Sequence, residues 1–443
     1  MASRRKFIRN SVLAAAGLGL PAVLNASQFE SLVRSIGPND QINFGLIGAK
    51  GMGWSNMSSH LKMPQVNCIA IADIDESVRN QRAADVEKLR GKKPKLYNDY
   101  RKLLDNKDVD VVIVGTPDHW HCLITVDALS AGKHVYVEKP LANTIEECNL
   151  MVKAQERYGK LVQVGQWQRS GSQYDDAIRF VRSGQLGNIR LVKCWAYQGW
   201  MKPVSVVPDG PVPAGVDYDM WLGPAKKRPF NQNRFHFNFR WFWDYAGGLM
   251  TDWGVHEIDI ALYAMNVSAP KSIMASGGKL AYPDDASETP DTLQTVYEYD
   301  GFNMLWEHAT GIDGGNYGYT EGIAFIGNNG TLVVNRGGWE IIPEKIDGKL
   351  RMDAMARVKP EGKSALEKHT ENFVEAITAN DASLLHCGIK TGSIAAINAQ
   401  MGNIAFKTGE KIFWDAAKGM FTNAAANELI KANYHNGWKL PTV

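Results

Sequence analysis

The chain has 443 residues, a formal net charge of +2 and 44% hydrophobic residues, which is ordinary composition for a globular protein. A chain of this length normally forms two domains, and its interspersed charges give no electrostatic case for binding nucleic acid or an anionic membrane. The five cysteines are dispersed and odd in number. We therefore expect neither a disulfide framework nor a cysteine metal site, and no metal is predicted.

Residues 1–27 are typical of a targeting segment and are excluded from the fold prediction. Arg4 and Arg5 stand in a stretch that resembles the twin-arginine export signal, and the apolar run of residues 12–24 follows. This run is too short for a stable membrane anchor. The segment therefore predicts a periplasmic protein that is exported by the twin-arginine pathway.

Residues 40–164 alternate short apolar runs with helical stretches. One helix is predicted to begin after Thr144, because Glu147 three residues later completes a capping box. Strands that alternate with helices require crossover connections, so the pattern predicts an α/β domain with a parallel sheet. The predicted strands are Ile42–Ile47, Val66–Ala72, residues 109–114, His134–Val137 and residues 161–164.

The pattern changes in residues 165–410, where long strands replace most of the helices. Asp300-Gly301 and Asn329-Gly330 each separate two apolar runs, and both dipeptides accept the positive φ angles of tight hairpins. We expect an α+β domain with a large open sheet, mostly antiparallel or mixed. Late helices are predicted at residues 364–378 and 389–407, a surface loop at residues 203–229, and a C-terminal extension at residues 411–443.

A glycine-rich turn follows the first strand and opens a helix, which is the context of a dinucleotide-binding fingerprint. Gly48 and Gly53 fit the G-x-G-x-x-G frame, but Lys50 stands at the second glycine. Its side chain should crowd the phosphates unless Gly51 supplies the close approach. Asp73 ends the second strand 20 residues beyond Gly53 and can bind the adenosine ribose, which favours NAD over NADP. The alternative is an aspartate that caps a turn.

Two further segments contain candidate catalytic residues. Glu138-Lys139-Pro140 follows a strand, and the carboxyl ends of parallel strands form the ligand crevice. Asp252 and His256 are four residues apart in a segment that begins with Gly247-Gly248, so on a helix they share one face.

Together these motifs resemble the Gfo/Idh/MocA family of glucose-fructose oxidoreductases and inositol dehydrogenases. The resemblance covers nearly the whole chain after the targeting segment, and it implies a Rossmann domain over residues 40–164 followed by an open-sheet domain. It implies that Lys139 is the active-site lysine and that Asp252 and His256 are the matching acid and histidine. The expected cofactor-binding residues are Gly48, Lys50, Gly51, Met52, Gly53, Asp73, Thr116, Pro117, His121, Glu138 and Lys139.

The chemistry supports these roles independently. Oxidising a secondary alcohol needs a base for the hydroxyl proton, which suits His256, while Lys139 can stabilise the developing alkoxide. Asp252 can hold the imidazole or bind a neighbouring hydroxyl. Aromatic and polar residues that suit a sugar ring are Gln166, Arg169, Trp243 and Tyr245. A tryptophan-rich core or subunit interface is an equal alternative for this set.

The sequence thus predicts an NAD(P)-dependent oxidoreductase that transfers hydride at a secondary carbon of a sugar, glycoside or polyol. The alternative is an NAD-dependent glycoside hydrolase that uses transient oxidation and recycles its cofactor. His119 and His121 are expected to line the nicotinamide pocket or to pack, not to bind metal. We also expect a homodimer or homotetramer, because relatives pair through the open sheet.

Overall fold

A computed structural model describes residues 40–443, and the predicted targeting segment lies outside this range. Two sheets organise the chain. Strands of the first are β1 (Ile42–Ile47), β2 (Val66–Ala72), β3 (Lys95–Tyr97), β4 (Val111–Val114), β5 (His134–Val137) and β6 (Val162–Val164). Its helices are α1 (Gly51–His60), α2 (Glu76–Arg90), α3 (Tyr100–Leu104), α4 (His121–Ser130) and α5 (Ile145–Tyr158).

The first sheet is fully parallel in the order β3-β2-β1-β4-β5-β6, as the predicted α/β domain requires. Its strands other than β3 are mostly buried runs of apolar residues, with helices on both faces. Thr144 caps α5, with the Glu147 amide donating to its hydroxyl as expected. The predicted strand at residues 109–114 is shorter, because its ladder with β1 begins at Val111.

The second sheet has ten strands in the order β16-β13-β12-β11-β7-β10-β9-β8-β17-β18. Only the β7–β10 pair is parallel, so the predicted mixed, mostly antiparallel sheet is confirmed. Its strands are β7 (Ile189–Gln198), β8 (Ser272–Gly278), β9 (Thr292–Glu298), β10 (Asn303–Thr310), β11 (Glu321–Gly327), β12 (Gly330–Asn335), β13 (Gly338–Pro343), β16 (Met355–Val358), β17 (Ile412–Asp415) and β18 (Met420–Phe421). A separate small hairpin joins β14 (Lys345–Ile346) to β15 (Lys349–Leu350).

Helices cover one face of the second sheet and leave the other open. They bury a core that includes Val192 and Cys194 of β7, whose neighbours Leu191 and Lys193 point the other way. The helices of this half of the chain are α6 (Ser172–Arg182), α7 (Tyr218–Leu222), α8 (Val255–Met265), α9 (Ala365–Ala379), α10 (Ile389–Thr408) and α11 (Ala424–Glu428). Thus α7 interrupts the predicted loop at residues 203–229, with Asp217 as its cap.

Both predicted hairpins form, but only the first has a positive φ, and only at the second residue of its dipeptide. Gly301 has φ +82°, whereas neither Asn329 nor Gly330 has a positive φ. The side chain and amide of Asn329 instead donate to the carbonyls of Gln185 and Leu186, so tertiary contacts shape that turn. Residues 411–443 are continuous with the domain, because β17 pairs with β8.

Candidate active site

A cavity of about 660 Å³ lies at the carboxyl ends of the parallel strands. This is where open α/β sheets bind ligands, and the volume is within the range of small-molecule sites. The first domain forms one side of the cavity, and three segments of the second domain cover it. The covering residues are Met220, Trp221, His236, Phe237, Phe239, Arg240 and Asp252.

The glycine-rich turn has the geometry that a dinucleotide requires. Gly48 has φ +79°, and a Cβ there would lie 2.7 Å from the Gly115 backbone. A Cβ on Gly53 would lie 1.9 Å from the Gly48 carbonyl oxygen, so Gly53 allows close helix–strand packing and does not itself line the cavity. Gly51 has φ +50° and open space where a Cβ would be. The amides at the start of α1 therefore face a cradle that fits a pyrophosphate.

The departure at Lys50 is accommodated by the backbone. Lys50 precedes α1 in an extended conformation, and it lines the cavity together with Gly51 and Met52. It is exposed, and the neighbouring Gly51 leaves the phosphate approach open.

Asp73 lines the cavity at the end of β2. Its carboxylate accepts from the Ala49 amide at 2.7 Å and from the Asp75 amide at 3.0 Å. Burial raises the pKa of Asp73, and these two amides oppose that rise. Asp73 thus ties the glycine-rich turn to the start of α2 while facing the cavity.

Lys139 and Asp252 meet across the domain boundary. Lys139 Nζ donates to Asp252 Oδ1 at 2.7 Å and to the Asp252 carbonyl oxygen at 2.8 Å. Arg240 Nε donates to the same carboxylate oxygen at 3.2 Å. Burial alone would raise the pKa of Asp252, but the charges of Lys139 and Arg240 outweigh it and hold the pKa well below its usual range. All three side chains line the cavity.

Asp252 and His256 lie near each other, since the charge of each shifts the pKa of the other. The segment is not a regular α-helix, because a wide π-helical turn, Met250–Gly254, precedes α8. Asp252 lines the cavity, whereas His256 does not. His256 is buried, with its ring 5.7 Å from that of Trp167.

The environment of His256 keeps it neutral. Burial lowers the pKa of His256 well below 6.5, the charges of Lys139 and Arg336 lower it further, and Asp252 opposes them. The nearby cation Lys139 therefore favours the neutral imidazole, but burial is the larger cause. Its buried Nδ1 has no hydrogen-bond partner among the described residues.

Two further carboxyl groups line the cavity beside Lys139. Glu138 Oε1 accepts from Asn56 Nδ2 at 2.7 Å, and burial raises its pKa. Burial also raises the pKa of Asp118 to about 7, although Lys139 and Arg240 oppose the rise. Asp118 is a titratable group that sequence reasoning did not single out, although it directly follows the expected Thr116-Pro117.

Thr116 and Pro117 line the cavity, whereas His121, also expected to bind the cofactor, lies behind them and does not line it. The two ring nitrogens of His121 lie 2.8 Å from the Pro140 carbonyl oxygen and 2.9 Å from the Thr116 carbonyl oxygen. His121 therefore joins the loop after β4 to the loop after β5. Within the described residues, no group of three or more His, Cys, Asp or Glu side chains is arranged to hold a metal ion.

The four predicted substrate residues do not line this cavity. Arg169 forms a two-point ion pair with Asp259 at 2.7 and 2.8 Å, and Gln166 Nε2 donates to the Val255 carbonyl oxygen. Tyr245 is fully buried in an aromatic cluster. Lys407 Nζ lies 3.8 Å above the Trp243 ring.

Of the aromatic run that contains Trp243 and Tyr245, only the beginning faces the cavity, with Phe239 and Arg240. Sequence reasoning missed the residues that follow β3, Asn98 and Tyr100, because the strand has only three residues and no apolar run. Within residues 40–443, we find no helix with the length and hydropathy of a membrane span.

Comparison with known proteins agrees with this architecture. Residues 42–166 match the Gfo/Idh/MocA model described as an oxidoreductase family with an NAD-binding Rossmann fold. Residues 189–440 match the model of the family's C-terminal alpha/beta domain.

Among curated relatives, an alpha-N-acetylgalactosaminidase of Shewanella oneidensis is 31% identical over 201 residues, which are 42% of this chain and 44% of the relative. The match thus spans less than half the length of that relative. A solved levoglucosan dehydrogenase in complex with NADH and levoglucosan has TM-score 0.62 and 20% identity, covering 84% of this chain and 99% of that one. The aldose-aldose oxidoreductase of Caulobacter crescentus, solved with glycerol, has TM-score 0.62 and 19% identity, covering 84% and 100%. The fold and both matched domains show that the chain belongs to the Gfo/Idh/MocA oxidoreductase family.

Proposed function

We propose that the protein is an NAD(P)-dependent oxidoreductase that transfers hydride at a secondary hydroxyl or keto carbon of a sugar, glycoside or polyol. The observation that carries this proposal is the contact between Lys139 and Asp252 in a cavity that begins at a dinucleotide-binding turn. A nicotinamide supplies the hydride acceptor or donor when it is bound. The chain itself must bind the substrate oxygen and move its proton.

We assign these tasks to three side chains. Lys139 donates a hydrogen bond to the substrate oxygen and stabilises negative charge on it as the hydride leaves carbon. Asp252 holds Lys139 in place from the second domain through two contacts. His256 accepts the hydroxyl proton, since it is neutral and its buried Nδ1 is unpartnered among the described residues. It lies behind the cavity wall, near enough to Lys139 and Asp252 for their charges to shift its pKa, so this role requires its ring to reach the substrate when the substrate binds.

Aromatic side chains near the cavity support a sugar-like substrate. Phe237 lines the cavity, is 53% exposed, and lies 6.2 Å from the ring of Trp200, which is 57% exposed. Exposed rings of this kind pack well against the C–H faces of sugars. The levoglucosan and aldose enzymes of similar fold support the same substrate class.

The test is an activity screen with purified protein. We expect NADH to form when NAD is mixed with one or more members of a panel of sugars, glycosides and polyols. Lys139→Ala and His256→Ala should each lose turnover while still binding NADH, and Lys62→Ala, on the surface, should match the wild type. If Lys139→Ala and His256→Ala turn over normally, the chemistry has been placed on the wrong residues.

A second candidate, favoured by the curated relatives, is a glycoside hydrolase with recycled cofactor. Oxidation of a ring hydroxyl to a ketone acidifies the adjacent C–H, loss of that proton expels the aglycone, water adds, and hydride returns to the ketone. The net reaction is hydrolysis without net oxidation. Release of aglycone without added NAD or a second keto substrate would support this candidate over the dehydrogenase.

We also propose that the protein is exported to the periplasm by the twin-arginine pathway. The support is the sequence of residues 1–27, which lie outside the described residues. Replacing Arg4 and Arg5 together by lysine should keep the protein in the cytoplasmic fraction. Unchanged export of this double variant would overturn the proposal.

We propose in addition a homodimer or homotetramer that pairs through the open face of the large sheet. This face exposes apolar side chains that alternate with buried ones on four strands, namely Leu191, Met274, Ile342 and Phe413. Covering such a face removes apolar surface from water. Light scattering at micromolar concentration should give a multiple of the chain mass, and a monomer would refute the proposal.

A further inference from the structure

Residues 432–438, which we call the strap, follow the last helix, α11, and cross the first domain. One end of the strap is fixed to α5. The Ala432 amide donates to Glu146 Oε2 at 2.7 Å, and the Tyr434 hydroxyl donates to Glu147 Oε1 at 2.6 Å. Tyr434 and Trp438 both pack on the apolar core of the first domain.

The other end of the strap holds the segment that follows α7. The His435 amide donates to the Pro224 carbonyl oxygen at 2.9 Å. Asn436 has φ +55°, and its Nδ2 donates to the carbonyl oxygens of Gly223 at 2.9 Å and Ala225 at 2.8 Å. Three consecutive carbonyl groups of the second domain are therefore held by two strap residues.

Trp438 packs against Trp120, a cavity residue of the first domain. Their ring centroids are 4.9 Å apart at 82°, and the guanidinium of Arg101 lies 5.3 Å above the Trp438 ring. Trp120 is 4% exposed, and its indole N–H donates to the Trp221 carbonyl oxygen at 3.0 Å. A Cβ on Gly223 would lie 2.1 Å from the Trp120 ring, so this segment lies directly on the indole.

Trp120 and Trp221 therefore form one wall of the cavity, although they come from different domains. The same cavity contains Asp73 and Arg82, where we expect the adenosine half of the cofactor. The strap contacts Trp120 and residues 223–225, which follow Trp221, and it does not itself line the cavity. Opening the wall requires Trp120 and residues 221–225 to separate, which the strap opposes.

We propose that the strap sets the rate at which the dinucleotide leaves, with Trp438 and Asn436 as the residues that position the wall. This inference rests on the proposed function, because it assumes that the cavity holds a dinucleotide. Its consequence is a cofactor that stays bound over many turnovers. Trp438 and Asn436 lie outside the cavity, so substituting either of them leaves every residue that lines the cavity in place.

The test measures NADH dissociation from the full-length protein by stopped-flow fluorescence, with excess NAD as the competitor. We expect Trp438→Ala and Asn436→Ala to release NADH about ten times faster, while the sugar KM changes little. Trp438→Phe keeps a ring against Trp120 and should restore most of the slow release. This rescue keeps the test decisive if the alanine variant folds poorly.

Trp414→Ala is the matched control. Trp414 is also a half-buried tryptophan, packed edge-on against Phe421 at 4.9 Å, but it lies in β17 outside the cavity. It should leave NADH release unchanged. Equal release rates for wild type, Trp438→Ala and Asn436→Ala would overturn the role of the strap and would leave the proposed function standing. A wild-type protein that binds no NADH would overturn the proposed function and the strap inference together.

Discussion

Lys139→Met tests the centre of the proposed site. Methionine keeps most of the length of the side chain but removes its charge and its donors. The substitution deletes the 2.7 and 2.8 Å hydrogen bonds to Asp252 and the cation that would face the substrate oxygen. It also removes a charge that lowers the pKa of both Asp252 and His256, so both pKa values should rise.

The expected loss of turnover follows from the role of Lys139. Positioned proton-transfer and charge-stabilising groups contribute about 10²- to 10⁴-fold, which is about 3 to 5 kcal/mol of barrier at 1.36 kcal/mol for each factor of ten. Removing one partner of a buried ion pair costs about 3 to 5 kcal/mol of stability. Arg240 still reaches Asp252 at 3.2 Å, and the pair is partly exposed, so we expect a smaller stability loss of about 1 to 3 kcal/mol.

The assay compares turnover of the best substrate with NADH binding by fluorescence. Lys50→Met is the matched control, because Lys50 lines the same cavity at the glycine-rich turn. We expect Lys50→Met to change cofactor affinity with little effect on turnover at saturating cofactor, and Lys139→Met to do the reverse. Turnover of Lys139→Met within a factor of three of the wild type would refute the assigned role.

Three other substitutions test separate parts of the structure. Asp73→Ser should narrow the preference for NADH over NADPH in paired titrations, because it removes a carboxylate that would repel a 2′-phosphate; tighter wild-type binding of NADPH would contradict this. Arg169→Met leaves Asp259 buried without its cation and should lower the unfolding free energy by about 3 to 5 kcal/mol in urea titrations; a raised sugar KM with unchanged stability would instead indicate substrate contact. Burial lowers the pKa of His60 from 6.5 to about 4. Between these two pKa values the unfolded chain binds a proton that the folded chain does not, so the free energy of unfolding falls as the pH falls. His60→Phe should therefore lose about 2 kcal/mol less stability than the wild type between pH 7 and pH 5, and equal losses would contradict the argument.

The sequence predicts the first domain well because its signals are local. Apolar runs mark the longer strands, Thr144 caps its helix, and Gly48, Gly53 and Asp73 occupy positions that the backbone geometry requires. The three-residue β3 has exposed and half-buried residues and carries no such signal. Lys139 could be placed at the cavity from sequence because the ends of parallel strands share one edge of a sheet.

The second domain was harder to predict at the site. A π-helical turn has no clear sequence pattern, so the spacing of Asp252 and His256 predicts a regular helix where the backbone widens at Met250–Gly254. The aromatic run after residue 236 also has no simple period, because it starts in a short 3-10 helix, His236–Trp241, that begins at a positive φ and ends before Trp243. Its beginning covers the cavity with Phe237, Phe239 and Arg240, whereas Trp243 and Tyr245 turn away.

The two candidate functions require the same oxidation step, so Lys139 and Asp252 cannot distinguish them. They differ in whether the cofactor must leave the protein and be replaced between turnovers. A dehydrogenase that consumes NAD must open the wall formed by Trp120 and Trp221 in each cycle, whereas a hydrolase that returns the hydride need not open it. Opening this wall separates the two domains at the indole contact and disrupts the contacts of the strap. The ratio of the NADH dissociation rate to kcat therefore separates the two functions. A dissociation rate far below kcat would exclude cofactor exchange in each turnover and favour the recycled cofactor, whereas a rate at or above kcat would permit the dehydrogenase.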